Sequence, residues 1–311
     1  QGIPDGIYCF EDFLDDDGIG GGPLAIPVRI EVEGSRAVVD FRTAPDQVGS
    51  PINAARAVTE SAVLYVFCCL AEGTMPANAG MLRPIRILTR PGSILHPTEP
   101  APVSAGNVET SQRIVDSLFG ALAQALPRQI PAASGGSMSN LLFGAPDGSF
   151  VHYETLACGA GAGPSGPGAD GIQTHMTNTL NTPIERLEQS FPVRVEAYKV
   201  APAGTGNGGR GVIRVLRFLE PVVLSLSGER RHLEPWGLHG GPAGRRGRQT
   251  LILPDGSETS LPGKISLPLA AGSILELESP GGGAWQDWSS SQVLAMSTAP
   301  ENIDDRGTDR A

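Results

Sequence analysis

Cysteine is scarce in this sequence, and its few copies follow no pattern. Four occur in 311 residues: Cys9, Cys68, Cys69 and Cys158. Their spacing gives neither a zinc site nor a disulfide framework. Cys68 and Cys69 lie within an apolar run and read as small core residues. A reducing, cytoplasmic setting is therefore expected. Long apolar runs are missing too. The longest, Ala62 to Ala71, is too short to cross a bilayer. No signal peptide is read at the start. The chain opens on Gln1 rather than Met, so an upstream part is expected to be missing. Positive charge is in deficit, with 23 Lys and Arg against 33 Asp and Glu and a net charge of −10. That balance argues against a nucleic-acid partner. The short basic run Arg245-Arg246-Gly247-Arg248 reads as a solvated turn.

Several catalytic signatures are also absent. There is no G-x-x-x-x-G-K-[ST], so no nucleotide P-loop is expected. There is no G-x-S-x-G elbow. Two stretches spell G-x-G-x-x-G, at Gly161, Gly163, Gly166 and at Gly206, Gly208, Gly211. A dinucleotide fingerprint needs a strand before it and a helix after it. The first stretch runs on into loop and the second into a strand, so neither qualifies.

Glycine and proline, by contrast, are abundant, together 68 of 311 residues without a collagen period. That is about twice the usual share, and it predicts many turns and long ordered loops. The expected fold class is α+β, with a mixed helix and strand part over 1–191, a β-rich, loop-rich part over 192–288, and a disordered tail from 289. Hydrophobic periodicity predicts a hairpin at 25–42 around Gly34-Ser35 and a helix from Asn53 to Leu70. A second helix is expected over Asn107–Leu126, capped by Asn107 or Thr110, with Ile114, Val115, Leu118, Leu122 and Leu126 at helical spacing. Paired strands follow around Asp147-Gly148. A strand at Val193–Val200, a hairpin of Gly211–Leu219 with Val222–Ser227, and short strands to Glu278 complete the pattern. Ser134-Gly135-Gly136-Ser137 reads as a turn that lets another chain or a ligand come close. The acidic start, with Glu11, Asp12, Asp15, Asp16 and Asp17, lacks the calcium-loop pattern and reads as a solvated loop.

Residues 151–191 gather the most chemistry. A strand opens them, with His152 and Glu154 on one face. These two read either as a hydrogen-bonded edge pair or as groups facing a cavity. A glycine and proline run follows, then Asp170 and His175, which fit a metal or acid–base pair and equally a structural role. Thr182 as N-cap, Pro183 as first helical residue and Glu185 closing a capping box predict a helix start. The run from Gly204 to Gly211, with Arg210, reads as an anion nest or as a tight hairpin turn.

These stretches in this order resemble the hydantoinase B/oxoprolinase family. The resemblance rests on Gly6-Ile7-Tyr8, Pro51-Ile52-Asn53, Gly106 to Arg113, Tyr153-Glu154-Thr155, His175 to Thr179, Asn181 to Glu185, Glu229-Arg230-Arg231, Pro235-Trp236-Gly237 and Pro280 to Gly283. It spans roughly residues 1–286 and covers only the C-terminal half of a family member. It implies the B-type subunit of an ATP-dependent hydrolase of cyclic amides. An A-type subunit would bind ATP and phosphorylate the ring carbonyl, and the B-type part would direct water onto the activated carbon. The expected partners are that A-type subunit, the missing N-terminal half and a small cyclic amide. ATP is expected to act through the partner, and a divalent metal in the missing half, with no cofactor held by this chain. His175, Asp170 and Glu154 are the expected positioning or proton-transfer residues, with His175 in a cleft shared with one of the other two. A related ketone carboxylase and a purely structural fragment are the alternative readings.

Overall fold

The computed structural model describes residues 2–71 and 78–286. The tail expected from residue 289 lies outside the described residues. Three strands open the chain as an antiparallel meander: β1 (Gly6–Leu14), β2 (Leu24–Glu33) and β3 (Arg36–Asp40). The β2–β3 turn is the expected one, with Gly34 at φ +57°. Helix α1 (Arg56–Leu70) crosses over and returns the chain to β4 (Ile85–Leu88), parallel to β3. The helix starts three residues later than expected, because the Asn53 side chain is committed elsewhere. Its amide donates to the carbonyls of Val48, Ser50 and Pro102 and pins three loop segments together.

Helix α2 (Ser111–Ala125) follows a single π turn at Gly106–Thr110. Neither expected cap operates, since Thr110 donates its hydroxyl to the Ile52 carbonyl instead. The spacing of its apolar residues suggests one buried stripe, yet every residue from Ser111 to Ala123 is buried. One side packs on β1, β2 and α1. The other carries Gln112, Arg113 and Asp116 into a polar interior, where ion pairs replace water.

The rest is mostly sheet: β5 (Asn140–Gly144), β6 (Val151–Thr155), the short helix α3 (Ile184–Ser190), β7 (Val193–Val200), β8 (Val212–Phe218), β9 (Val222–Ser227), β10 (Arg248–Ile252), β11 (Glu258–Ser260), β12 (Lys264–Leu269) and β13 (Ile274–Glu278). They form a four-stranded sheet ordered β12-β9-β5-β6 and a five-stranded sheet ordered β11-β10-β13-β8-β7. The chain is thus α+β. Strands β8 and β9 are not the expected hairpin. The chain crosses from one sheet to the other at Leu219–Pro221, and Phe218 and Val222 on either side are both fully buried between the sheets. β5 and β6 share a sheet with β9 and β12, so pairing runs across residue 192. Two apolar cores result, one of residues between Leu14 and Ile130, the other of residues between Leu141 and Leu277. Among the described residues, no helix is long and apolar enough to cross a membrane.

Between the cores, glycine-rich segments pack backbone against backbone. Gly209 donates to the Ala160 carbonyl at 2.8 Å, and Gly282 donates to the Gly209 carbonyl at 2.8 Å. Gly283 and Ala162 extend the same net to Ala133 and back to Gly283. A Cβ on Gly159 would overlap the Gly209 carbonyl, and one on Gly282 would overlap that of Ala160. Both G-x-G-x-x-G stretches belong to this layer. Gly161, Gly208 and Gly211 among them let main chains touch.

This layer yields a stability prediction. Gly159→Ala is expected to cost about 3 kcal/mol, because backbone rather than a flexible side chain must give way. Gly22→Ala, where a Cβ meets nothing within 4 Å, is expected to change stability by no more than about 0.5 kcal/mol. Urea unfolding of the two variants compares them directly.

Candidate functional site

Buried charge concentrates where β1, α2 and the loop after β9 meet. Asp12 near the end of β1 faces Arg113 and Asp116, one turn apart on α2. Arg230 enters from the loop with φ +61°. Its Nη2 lies 2.7 Å from Asp12 Oδ2 and 2.9 Å from Asp116 Oδ2. Arg113 Nη1 lies 2.9 Å from Asp116 Oδ2 and 3.2 Å from Asp12 Oδ2. The Trp236 indole N–H donates to Asp12 at 3.2 Å. All four ionisable side chains are buried, two arginines against two carboxyls. Burial pushes both carboxyls up, against the pull of Arg113, and Asp116 reaches about 7.

The acidic start is therefore not a solvated loop. Asp12, Asp15 and Asp17 are buried. Asp15 accepts from the backbone N–H groups of Arg231, His232 and Leu233. Asp17 accepts from those of Ile19 and Gly21. These carboxylates complete the hydrogen bonding of turns that the fold buries. They leave no free donor set for a cation, and among the described residues no group of three His, Cys, Asp or Glu is placed to hold a metal.

A second buried layer lies alongside. Glu229 bonds Lys264 Nζ at 2.5 Å and the Asp15 N–H at 2.6 Å. Glu109 accepts from Asn140 Nδ2 at 2.7 Å and from the Met138 N–H at 3.2 Å. Burial, reinforced by the charge of Glu229, pushes the Glu109 carboxyl up to about 8. It is therefore largely protonated at neutral pH.

His175 reaches the margin of the first cluster. Its Nδ1 is 3.3 Å from the Tyr65 hydroxyl on α1, and its Nε2 is 3.9 Å from Asp116 Oδ1. The Phe119 ring packs on it with centroids 5.5 Å apart. Burial drives its pKa down to about 4, so the imidazole is neutral at physiological pH. In the tautomer in which Tyr65 donates to Nδ1, the ring proton sits on Nε2, 3.9 Å from the Asp116 oxygen that the arginines leave free. The arrangement can pass a proton between the half-buried Tyr65 hydroxyl and the buried acid.

Among the described residues, no hydrogen bond or ion pair joins His175 to Asp170 or to Glu154. Asp170 is clamped by Arg210, whose Nε lies 2.8 Å from Oδ2. Glu154 pairs with the fully buried Arg214 at 2.7 Å and lies 3.6 Å from His152 Nε2. Burial works to raise the Glu154 pKa, but His152, Arg214 and the Thr182 N–H outweigh it and hold it low. His152 and Glu154 thus lie side by side on the edge strand β6 in an ion-pair contact, without the hydrogen bond of the first reading. The expected helix cap also fails. Pro183 takes the N-cap position of α3, and the Thr182 N–H turns to Glu154.

Sequence reading missed Asp12, Asp116 and Tyr65 as parts of this site. Arg113, Arg230 and Trp236 stand in stretches that carry the family resemblance, as does His175, and the fold brings all four stretches to one place. The sequence profile described as Hydantoinase B/oxoprolinase matches residues 1–287. The 5-oxoprolinase 1 of Arabidopsis thaliana is 40% identical over 88% of this chain and 21% of its own length. A protein of a Pseudomonas species, named as the B-type subunit of a D-/L-hydantoinase, is 31% identical over 91% of this chain and 51% of its own. The crystal structure of an ATP-dependent caprolactamase from Pseudomonas jessenii superposes with a TM-score of 0.78 at 26% identity, over 94% of this chain and 54% of that one. A nucleotide-free acetone carboxylase superposes with the same TM-score at 14% identity, a likeness of fold alone. The chain spans about a fifth to a half of the length of these relatives.

Two outcomes test the cluster. Arg230→Leu is expected to destabilise by about 3–5 kcal/mol, since it leaves two buried carboxylates sharing Arg113 alone. The pair Arg230→Leu with Asp12→Leu is expected to cost less than Arg230→Leu alone, as read by urea unfolding. For Glu109, the folded pKa of about 8 lies above the ordinary 4.5. The folded state therefore holds a proton that the unfolded chain has lost between those values. Stability should fall as pH rises through that window and level off above it. Glu109→Gln should flatten that slope in unfolding curves taken from pH 5 to 9.

Proposed function

This chain belongs to the hydantoinase B/oxoprolinase family, and from that premise we propose that it is the B-type portion of an ATP-dependent enzyme that opens a cyclic amide such as a hydantoin or 5-oxoproline. An ATP-binding A-type subunit and the further B-type region found in longer relatives complete that enzyme. The observation that carries this reading is the convergence of Arg113, His175, Arg230 and Trp236, from four separated stretches, on one buried cluster with a neutral imidazole at its edge. A cyclic amide resists attack because resonance delocalises the nitrogen lone pair into its carbonyl. ATP supplies phosphorylation of that oxygen, which makes the ring carbon electrophilic. Water attack then requires a proton acceptor. His175 takes a proton at Nδ1 from the Tyr65 hydroxyl, which takes one in turn from the attacking water. Asp116, facing Nε2, offsets the positive charge that develops on the ring. Burial leaves the imidazole weakly basic and raises the Tyr65 phenol, so the transfer depends on Asp116 stabilising the imidazolium. The carboxylase alternative has only a likeness of fold behind it, so the hydrolase reading is preferred.

The test is a reconstitution of this chain with its A-type subunit and the remaining B-type region. ATP-dependent ring opening is expected to fall by about 100-fold or more in His175→Gln, with the melting temperature unchanged. Turnover near the wild-type rate would remove His175 from the chemistry, and its complete independence of this chain would leave a structural role.

A further inference from the structure

Among the described residues Asp170 and Glu154 share no hydrogen bond or ion pair with His175, yet each ties down one end of the segment that carries it. Residues 171–182 form no helix or strand. They include two left-handed backbone positions, Gly171 at φ +54° and His175 at φ +60°. A non-glycine residue in that region is strained and persists only when its surroundings enforce it.

The enforcement is visible at both ends. At the first, Asp170 accepts from the Arg210 backbone N–H at 2.6 Å, from Nε at 2.8 Å and from Nη2 at 2.5 Å. The Gly171 N–H donates to the Arg210 carbonyl at 2.8 Å, closing the clamp. At the far end, the Thr182 N–H donates to Glu154 Oε2 at 3.3 Å. Asn181 donates to the Thr155 carbonyl at 2.5 Å and accepts from the Tyr198 hydroxyl at 2.8 Å. Glu154 is itself fixed by Arg214 beneath it. Between the ends, Gln112 of α2 donates to the Thr174 carbonyl at 3.1 Å. Apolar burial contributes little near the far anchor, where Leu180 is 91% exposed.

We propose that Asp170 and Glu154 are positioning residues, fixing the two ends of a strap so that His175 is held between Tyr65 and Asp116. The importance of His175 rests on the function proposed above; the mechanical role of the anchors does not. The titratable groups that face the imidazole are Tyr65 from α1 and Asp116 from α2. Neither anchor is among them, so loss of an anchor reaches His175 only through the strap.

The experiment follows the His175 imidazole by nitrogen-15 NMR across pH in the full chain. The wild-type ring should titrate near 4. Asp170→Asn and Glu154→Gln should each raise that midpoint by about one pH unit or more as the loosened ring meets water. The exchange of Asp170→Arg with Arg210→Asp should bring it back down. Asp40→Asn, which cuts the remote Asp40–Arg42 pair, should leave it unchanged. An unmoved midpoint in both anchor variants overturns the proposal. Should Asp170→Asn fail to fold, Arg210→Gln cuts the same clamp and is read in its place. A shifted midpoint together with undiminished turnover in His175→Gln would sink the functional reading and leave the strap intact.

Discussion

Everything in this fold that resembles a site depends on the pairing of two buried aspartates with two buried arginines. Asp12, Arg113, Asp116 and Arg230 join a strand, a helix and a loop that lie far apart in the chain. Such a quartet adds little net stability over a well-packed apolar replacement, because desolvation consumes most of the Coulomb gain. What it adds is selectivity. Each charge is tolerable only with its partners in place, so a misregistered β1 or a rotated α2 leaves a bare ion in the interior. The polar side of α2 is explained by this requirement, and so are the carboxylates that complete the neighbouring turns.

The quartet also shapes the histidine. Asp116 gives one oxygen to the arginines and leaves the other toward His175. Burial keeps the ring neutral, and the ring stays in place because the strap is anchored from outside the cluster. The site is thus layered, with paired charge innermost, a neutral imidazole next and hydrogen-bonded clamps at the edge. Rigid placement of a relay by groups that never touch it is what a preorganised site requires.

Local pattern made much of the architecture legible. The β2–β3 hairpin, both long helices and β7 follow from periodicity and turn residues, and the α+β class follows from their order. What failed did so for a common reason, namely partners distant in sequence. Nothing near Asp12 shows that Arg230 will bury it. Nothing near Leu219 shows that the chain changes sheets there rather than turning back. Asn53 and Thr182 look like helix-starting residues until a remote loop or carboxylate claims their hydrogen bonds. His175 is legible as one of several polar residues in the loop after a glycine-rich run, but its partners are not, since Tyr65 and Asp116 look like ordinary helical positions.

The span of the quartet bears on how the chain is made. Asp12 and Arg230 are 218 residues apart. At ribosomal speeds of about 5–20 residues per second, the first strand waits roughly ten to forty seconds before its arginine has been synthesised. During that interval Arg113 can already meet Asp12, but the quartet is incomplete. The contact that closes the cluster is therefore set late, by a residue far along the chain from the strand it holds.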